Sequence, residues 1–277
     1  MTNSKLQRGL LKPPPRPLWQ SHDRRSTLYH AAQEDFLCSL PDGSVDCIWT
    51  DPPYLLSNNG TTCIAGKRQS VNKGQWDQSQ GWADDHRFNL AWLRECQRCL
   101  SPEGTIWISG TLHIYVSVGM ALRELGFRVL NDIVWEKPNP PPNLGCRCFT
   151  HSTEIILWAT KAAKGSPTRH VFNYARMKAD NNGRQMKNVW RMPAPGKNEK
   201  ALGKHPTQKP LALIERCLSA STNVGAHVVD PFSGSGSTGV AALRLNRRFS
   251  GCEVDANYAN LAARRLALED STAETCT

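Results

Sequence analysis

The sequence predicts an α/β protein with a doubly wound, mostly parallel sheet, and three observations carry that prediction. Short apolar, β-branched runs alternate with helical stretches along the chain. Two of those runs end in motifs of carboxylate, proline and glycine, one opening at Asp51 and one at Asp230. A sheet wound in both directions collects its ligands at the carboxyl ends of its strands, which is where both motifs fall. With 277 residues, a hydrophobic content of 39% suits one substantial core over residues 26–270 rather than two full domains.

In chain order, the first 25 residues are rich in Lys, Arg and Pro and read as a disordered basic arm. Val45 to Thr50 form a strand that delivers Asp51, Pro52, Pro53 and Tyr54. The stretch from Leu55 to Trp82 is too long for a simple connection and carries Lys67, Arg68 and Lys73. Such a loop beside a catalytic turn reads as a lid over substrate. Phe88 to Leu100 has a helical pattern, as does Tyr115 to Leu125, which stops at Gly126. Thr105 to Ser109, Ile133 to Trp135 and Glu154 to Ala159 have strand composition. Lys137 to Asn143 holds four prolines and is a rigid loop on the ligand edge, where His151 and Glu154 border the acceptor pocket or serve as ordinary buried polar residues. His227 to Asp230 is a buried strand, Val240 to Leu245 a helix, and Arg247 to Cys252 a second strand ending at Glu253. Residues 271–277 read as a tail.

The chemistry of Asp51-Pro52-Pro53-Tyr54 points to an amino group on a flat base. An exocyclic amine is a poor nucleophile because its lone pair is delocalised into the ring. Two acceptors, the Asp51 carboxylate and the Pro52 carbonyl, can draw that nitrogen toward tetrahedral geometry and strengthen as positive charge develops on it. Tyr54 offers a ring face for stacking an extruded base, worth about 1–3 kcal/mol in single-strand binders. The plainer reading of the tetrapeptide is an Asp-Pro turn closing a strand.

The second motif weighs against that plainer reading. Gly234, Gly236 and Gly239 let the backbone approach a ligand and start a helix tightly, and Glu253 lies 23 positions beyond Asp230, where such units place the ligand of a ribose. The glycine spacing also matches G-x-G-x-x-G, so a nicotinamide or flavin site is an alternative. That alternative expects the glycines directly after the strand and leaves the Asp51 motif unexplained. S-adenosylmethionine accounts for both motifs, as donor at one and with the acceptor at the other.

On these residues, and on His205-Pro206-Thr207-Gln208-Lys209-Pro210, the chain resembles the DNA amino-methyltransferases that modify adenine N6 or cytosine N4. The order, catalytic motif first and donor motifs last, is similar to the beta-type members, and the resemblance covers Tyr29 to Leu266. It implies the methyltransferase variant of the Rossmann-like fold and S-adenosylmethionine as cofactor. It further implies catalytic roles for Asp51, Pro52 and Tyr54, and donor binding by Asp230, Phe232, Gly234, Ser235, Gly236, Thr238 and Glu253. Thr207 and Lys209 would meet the methionine carboxylate at a helix start, a natural anion site. Asp at the first motif position usually accompanies adenine, and cytosine N4 is the alternative. One departure stands out: Ala31 and Ala32 occupy the step where the family carries an acid that contacts the donor's adenine, with Glu34 or Asp35 as possible substitutes from a shifted loop.

Charge points to the partner. The chain carries +10, and between Lys161 and Lys209 twelve Lys and Arg stand against Asp180 and Glu199, so this stretch accounts for the whole excess. Residues 161–204 are therefore the expected target-recognition segment, with Arg176, Lys178, Arg184 and Lys187 as DNA contacts beside Lys67, Arg68 and Lys73 of the lid. The expected partner is double-stranded DNA, with the base flipped into the site, alongside a possible cognate restriction endonuclease; the enzyme would act as monomer or homodimer. No metal is called for, because a sulfonium is already an excellent leaving group. The ten cysteines read as reduced thiols, since Cys96 and Cys99 share a helix face and Cys146-x-Cys148 lacks zinc spacing. With no spanning stretch or cleavable signal, a cytoplasmic enzyme is expected. An RNA or protein-glutamine methyltransferase and a non-catalytic DNA-binding relative are the readings from other classes.

Overall fold

A computed structural model of the chain describes residues 13–55, 61–64, 67–70, 77–143, 145–161 and 169–274. The strands are β1 (Pro17–Gln20), β2 (Ser26–His30), β3 (Val45–Thr50), β4 (Thr61–Ile64), β5 (Lys67–Ser70), β6 (Leu100–Gly110), β7 (Arg128–Glu136), β8 (Thr153–Thr160), β9 (Val189–Arg191), β10 (His227–Asp230) and β11 (Arg248–Glu253). The helices are α1 (Gln33–Ser39), α2 (Trp82–Cys99), α3 (Leu112–Glu124), α4 (Tyr174–Ala179), α5 (Leu211–Ser221), α6 (Ser237–Arg244) and α7 (Ala256–Glu274). β4 and β5 pair as a separate antiparallel hairpin within the expected lid.

The main sheet runs β1-β2-β11-β10-β3-β6-β8-β7-β9. Its centre, β2 through β6, is parallel, while β8 lies antiparallel to both β6 and β7. A central parallel strand is covered on both faces and so reads as a continuous apolar run. β3 shows this: every residue but Asp46 is buried. Asp46 accepts the backbone N–H of His227 at 2.8 Å, fixing the start of β10 beside it.

Two apolar clusters fill the two faces of the sheet. One joins Trp49, Trp107 and Trp158 to Leu213 and Ile214 of α5, Val240 of α6 and Leu266 of α7. The other joins Ile48 and Ile106 to Phe36 of α1, Trp92 and Cys96 of α2 and Val118 of α3. The result is a three-layer α/β/α sandwich wound in both directions, the expected class.

Several boundaries differ from expectation. Pro17–Gln20, placed in a disordered arm by its prolines, pairs antiparallel with β2. Pro17 sits at the first position of an edge strand, where its missing N–H costs no ladder bond, and Trp19 packs on the core. α2 starts at Trp82, six residues before the apolar stripe begins, because Asp84 and Asp85 suit its first turn. α7 runs through Glu274 into the expected tail, a stretch without Gly or Pro to stop it. The described cysteines Cys38, Cys47, Cys96, Cys99, Cys146, Cys148, Cys217 and Cys252 are unbonded thiols. Among the described residues, no helix is long and apolar enough to cross a membrane.

Candidate active site

β10 continues through α6 to β11 on one side, whereas β3 continues through α2 to β6 on the other. The strand order therefore reverses between β10 and β3, and a crevice opens above their carboxyl ends. A cleft of ≈ 290 Å³ lies there, and both motifs line it.

On the acceptor side, Asp51 leaves β3 with its side chain 14% exposed. Its Oδ1 accepts the Tyr54 hydroxyl at 2.7 Å, and its Oδ2 accepts the Lys209 ammonium. The Tyr54 hydroxyl also stands 3.2 Å from Glu154 Oε2 and accepts from Lys209 Nζ at 3.1 Å. Glu154, at the start of β8, receives Lys137 on Oε1 and has Lys209 Nζ 3.4 Å from Oε2. Two carboxylates and two ammonium groups thus neutralise one another around one phenol.

Burial pushes the Asp51 carboxyl up and Glu154 adds to the push, while Lys209 pulls it down; the net direction is upward. Burial would also raise Glu154, but Lys209 and Lys137 outweigh it and bring that carboxyl down to about 2. Burial acts to lower Lys209, and the two carboxylates overcome it, so the ammonium is held above its ordinary value. The Tyr54 phenol is pushed up by burial and by Asp51. Tyr54 is 6% exposed and lines the cleft, with its hydroxyl held by Asp51, Glu154 and Lys209.

On the donor side, Asp230 accepts three donors: Thr50 Oγ1 at 3.0 Å, Thr238 Oγ1 at 2.6 Å and the Phe232 N–H at 3.0 Å. It stitches the loop to both switch-point strands. Gly234 and Gly236 have φ of +51° and +76°, in the left-handed region that favours glycine. Gly239 serves packing instead, since a Cβ there would meet Leu266 at 2.6 Å and Phe249 at 2.7 Å. Glu253 accepts the Gly234 N–H at 2.8 Å through Oε2 and the Asp255 N–H at 2.9 Å through Oε1. Arg265 of α7, buried beneath the loop, donates to the Ser235 carbonyl at 2.6 Å and to the Ser235 and Ser237 hydroxyls at 3.0 Å.

The cleft brings together Asp51, Pro52, Tyr54, Thr207, Lys209, Asp230, Phe232, Gly234, Ser235, Thr238 and Glu253; Gly236 lies behind its lining. Lys209 sits on Asp51, on the acceptor side of the position expected for it. α5 begins after Pro210, and its first N–H, at Leu211, is capped by Glu199 Oε2 at 2.9 Å. At the departure noted in the sequence, Ala31 and Gln33 line the cleft, while Glu34 and Asp35 are exposed outside it. The expected DNA contacts lie elsewhere. Arg176 pairs with Asp180 at 3.0 Å, and Lys178 and Lys187 border a second cavity of ≈ 200 Å³ lined by Trp107, Trp158 and Phe172. Arg184 is exposed after α4, Lys67 and Arg68 fall in β5, and Lys73 lies outside the described residues. Lys137 and Arg265 were not singled out in the sequence, because each meets its partner only through the fold.

Comparison with known proteins decides the family. A family described as DNA methylase, N6_N4_Mtase, matches residues 45–264. This chain belongs to that DNA methylase family. Type II methyltransferase M2.DpnII of Streptococcus pneumoniae is 50% identical over 245 residues, covering 88% of this chain and 91% of the relative. Type II methyltransferase M2.MboI of Moraxella bovis is 46% identical over 250 residues, 90% of each chain. Among solved structures, the M1.HpyAVI complex with SAM is 30% identical and superposes with a TM-score of 0.64, covering 86% of this methylase and 98% of that chain. The methylase matches these relatives across both motifs and the segment between them.

Proposed function

We propose that this DNA methylase transfers a methyl group from S-adenosylmethionine to adenine N6 of a base flipped out of duplex DNA. The observation that carries the reading is the single cleft, in which the Asp51 carboxylate and the glycine loop face each other at the switch point. The residues fit the donor. Phe232, Phe88 and Gln33 offer a largely apolar end for a purine, Glu253 a carboxylate for ribose hydroxyls, and Thr207 a hydroxyl for a carboxylate. When bound, S-adenosylmethionine supplies an electrophilic methyl group with a good leaving group.

The chain's own residues do the rest. The Asp51 carboxylate and the Pro52 carbonyl accept the amine N–H bonds and stabilise the positive charge that builds on nitrogen. The protein fixes the reacting groups in one orientation, which removes much of the entropic barrier. Burial raises the Asp51 carboxyl, so an Asp51 oxygen is a ready acceptor for the proton that the methylated amine releases. Adenine is supported by the Asp at the first motif position, and a cognate endonuclease partner by the type II relatives. Residues 161–204 serve as the target-recognition segment in this reading.

The experiment is to incubate the protein with S-adenosylmethionine and mixed-sequence DNA, digest to nucleosides and identify the product by mass spectrometry. N6-methyladenosine is expected; N4-methylcytosine overturns the choice of base, and no methylated nucleoside overturns the reading. Asp51→Ala should retain donor binding by calorimetry and lose at least about 10²-fold in transfer. Full activity in that variant would remove Asp51 from the mechanism.

A further inference from the structure

We propose that Lys209, braced by Glu154 and Lys137, is a positioning residue for methyl transfer that keeps the Asp51 carboxylate ionised and turned toward the acceptor amine. The inference rests on the reading of Asp51 as the amine acceptor. Four separate elements converge to build this arrangement: the turn after β3, the loop after β7, the start of β8 and the segment before α5.

A buried ammonium is costly unless it is paired and fully hydrogen-bonded. The Lys209 side chain is 4% exposed, and its three N–H bonds have Asp51 Oδ2, Tyr54 Oη at 3.1 Å, the Thr207 carbonyl at 3.3 Å and Glu154 Oε2 at 3.4 Å within reach. An anion ligand awaiting the donor would not need two protein carboxylates. Asp51, in turn, must be an acceptor, and a protonated carboxyl would present an O–H to the amine instead. Each carboxylate oxygen has two lone-pair sites. Tyr54 on Oδ1 and Lys209 on Oδ2 fix the rotation of the carboxylate and leave one site on each oxygen for substrate.

The charged and titratable groups around Asp51 are Lys209, Tyr54, Glu154 and Asp230, with Lys137 behind Glu154. Lys209 favours the ionised form of Asp51 and Glu154 disfavours it, so removing them should move the acid limb of the pH–rate profile in opposite directions. Lys209→Met is expected to shift the acid limb upward by about one pH unit or more, and Lys209→Arg to restore it. Glu154→Gln, which conserves volume and serves where Lys209→Met fails to fold, is expected to shift it downward. Donor affinity by calorimetry should stay within about threefold of wild type in each variant.

The same shifts should appear in the Asp51 resonance, followed by carbon NMR of protein labelled at the aspartate carboxyls and assigned with Asp51→Asn. Equal acid limbs and an unshifted Asp51 resonance in all variants overturn the inference. So does a loss of donor affinity in Lys209→Met without a shifted limb, which would make Lys209 a donor ligand. Wild-type protein that methylates no DNA sinks the function proposed above, and the Asp51 titration then still decides the role of Lys209.

Discussion

At Asp230 the carboxyl is 2% exposed, and burial pushes it up to about 7 despite its three hydrogen-bond donors. Its ordinary value is 3.8, so between about pH 4 and pH 7 the folded state holds a proton that the unfolded chain has released. Stability therefore falls as pH rises through that window, by a few kcal/mol at about 1.4 kcal/mol per unit of difference. Asp230→Asn keeps an oxygen acceptor for Thr50 and Phe232, turns an amide N–H toward the Thr238 hydroxyl, which can accept it, and does not titrate. Urea unfolding of the wild type should show stability dropping from pH 4.5 to pH 7.5 relative to the variant, by about 1–3 kcal/mol after allowing for relaxation. Parallel curves would mean that the three donors keep Asp230 ionised throughout. Asp51, Asp230 and Glu253 were legible in the sequence because each closes a strand inside a local motif. Lys137 and Arg265 were not, because Glu154 and Ser235 reach them only across the folded sheet. Tyr54 was legible as a site residue, and its hydroxyl is held locally by Asp51 and, across the fold, by Glu154 and Lys209.

Among the elements, the glycine loop and α6 show how a motif divides its labour. The left-handed φ of Gly234 and Gly236 shapes the turn, whereas Gly239 lets α6 lie against β11 and α7. A methyl group at 239 would enter space already held by an aromatic ring and a leucine, and overpacking of this kind typically costs about 1–3 kcal/mol. Gly239→Ala should lower stability by that amount in denaturant unfolding; an unchanged midpoint would mean that α6 can shift without loss. β3, β6, β8 and β10 were legible because strands buried on both faces read as apolar runs. The antiparallel setting of β8 was not, since an apolar run does not carry its own direction. Proline concealed β1, and only its edge position makes that strand possible. α7 is N-capped by Asp255, whose Oδ1 accepts the N–H groups of Asn257 and Tyr258 at 2.8 and 3.1 Å, a start signal that was legible in the sequence.

For the whole molecule, the balance of charge separates the site from the surface. The cleft neutralises itself, with Asp51 and Glu154 against Lys209 and Lys137, so Lys209 drops out of the basic excess that the sequence assigned to DNA. Arg176 is engaged by Asp180 and Arg191 lies 3.8 Å from Glu136, which weakens both as phosphate ligands. Arg184 and Lys187, exposed between α4 and β9, carry the expectation forward. If they contact phosphates, each releases about one counterion on binding, and affinity follows salt with a slope of about −0.9 per contact. The double variant Arg184→Ala, Lys187→Ala should therefore weaken binding to all duplex sequences alike. In fluorescence anisotropy across a salt series its slope should be shallower by about one to two, with donor affinity unchanged. An unaltered slope would take DNA off this segment and move it to the hairpin of β4 and β5, whose Lys67 and Arg68 then become the residues to replace.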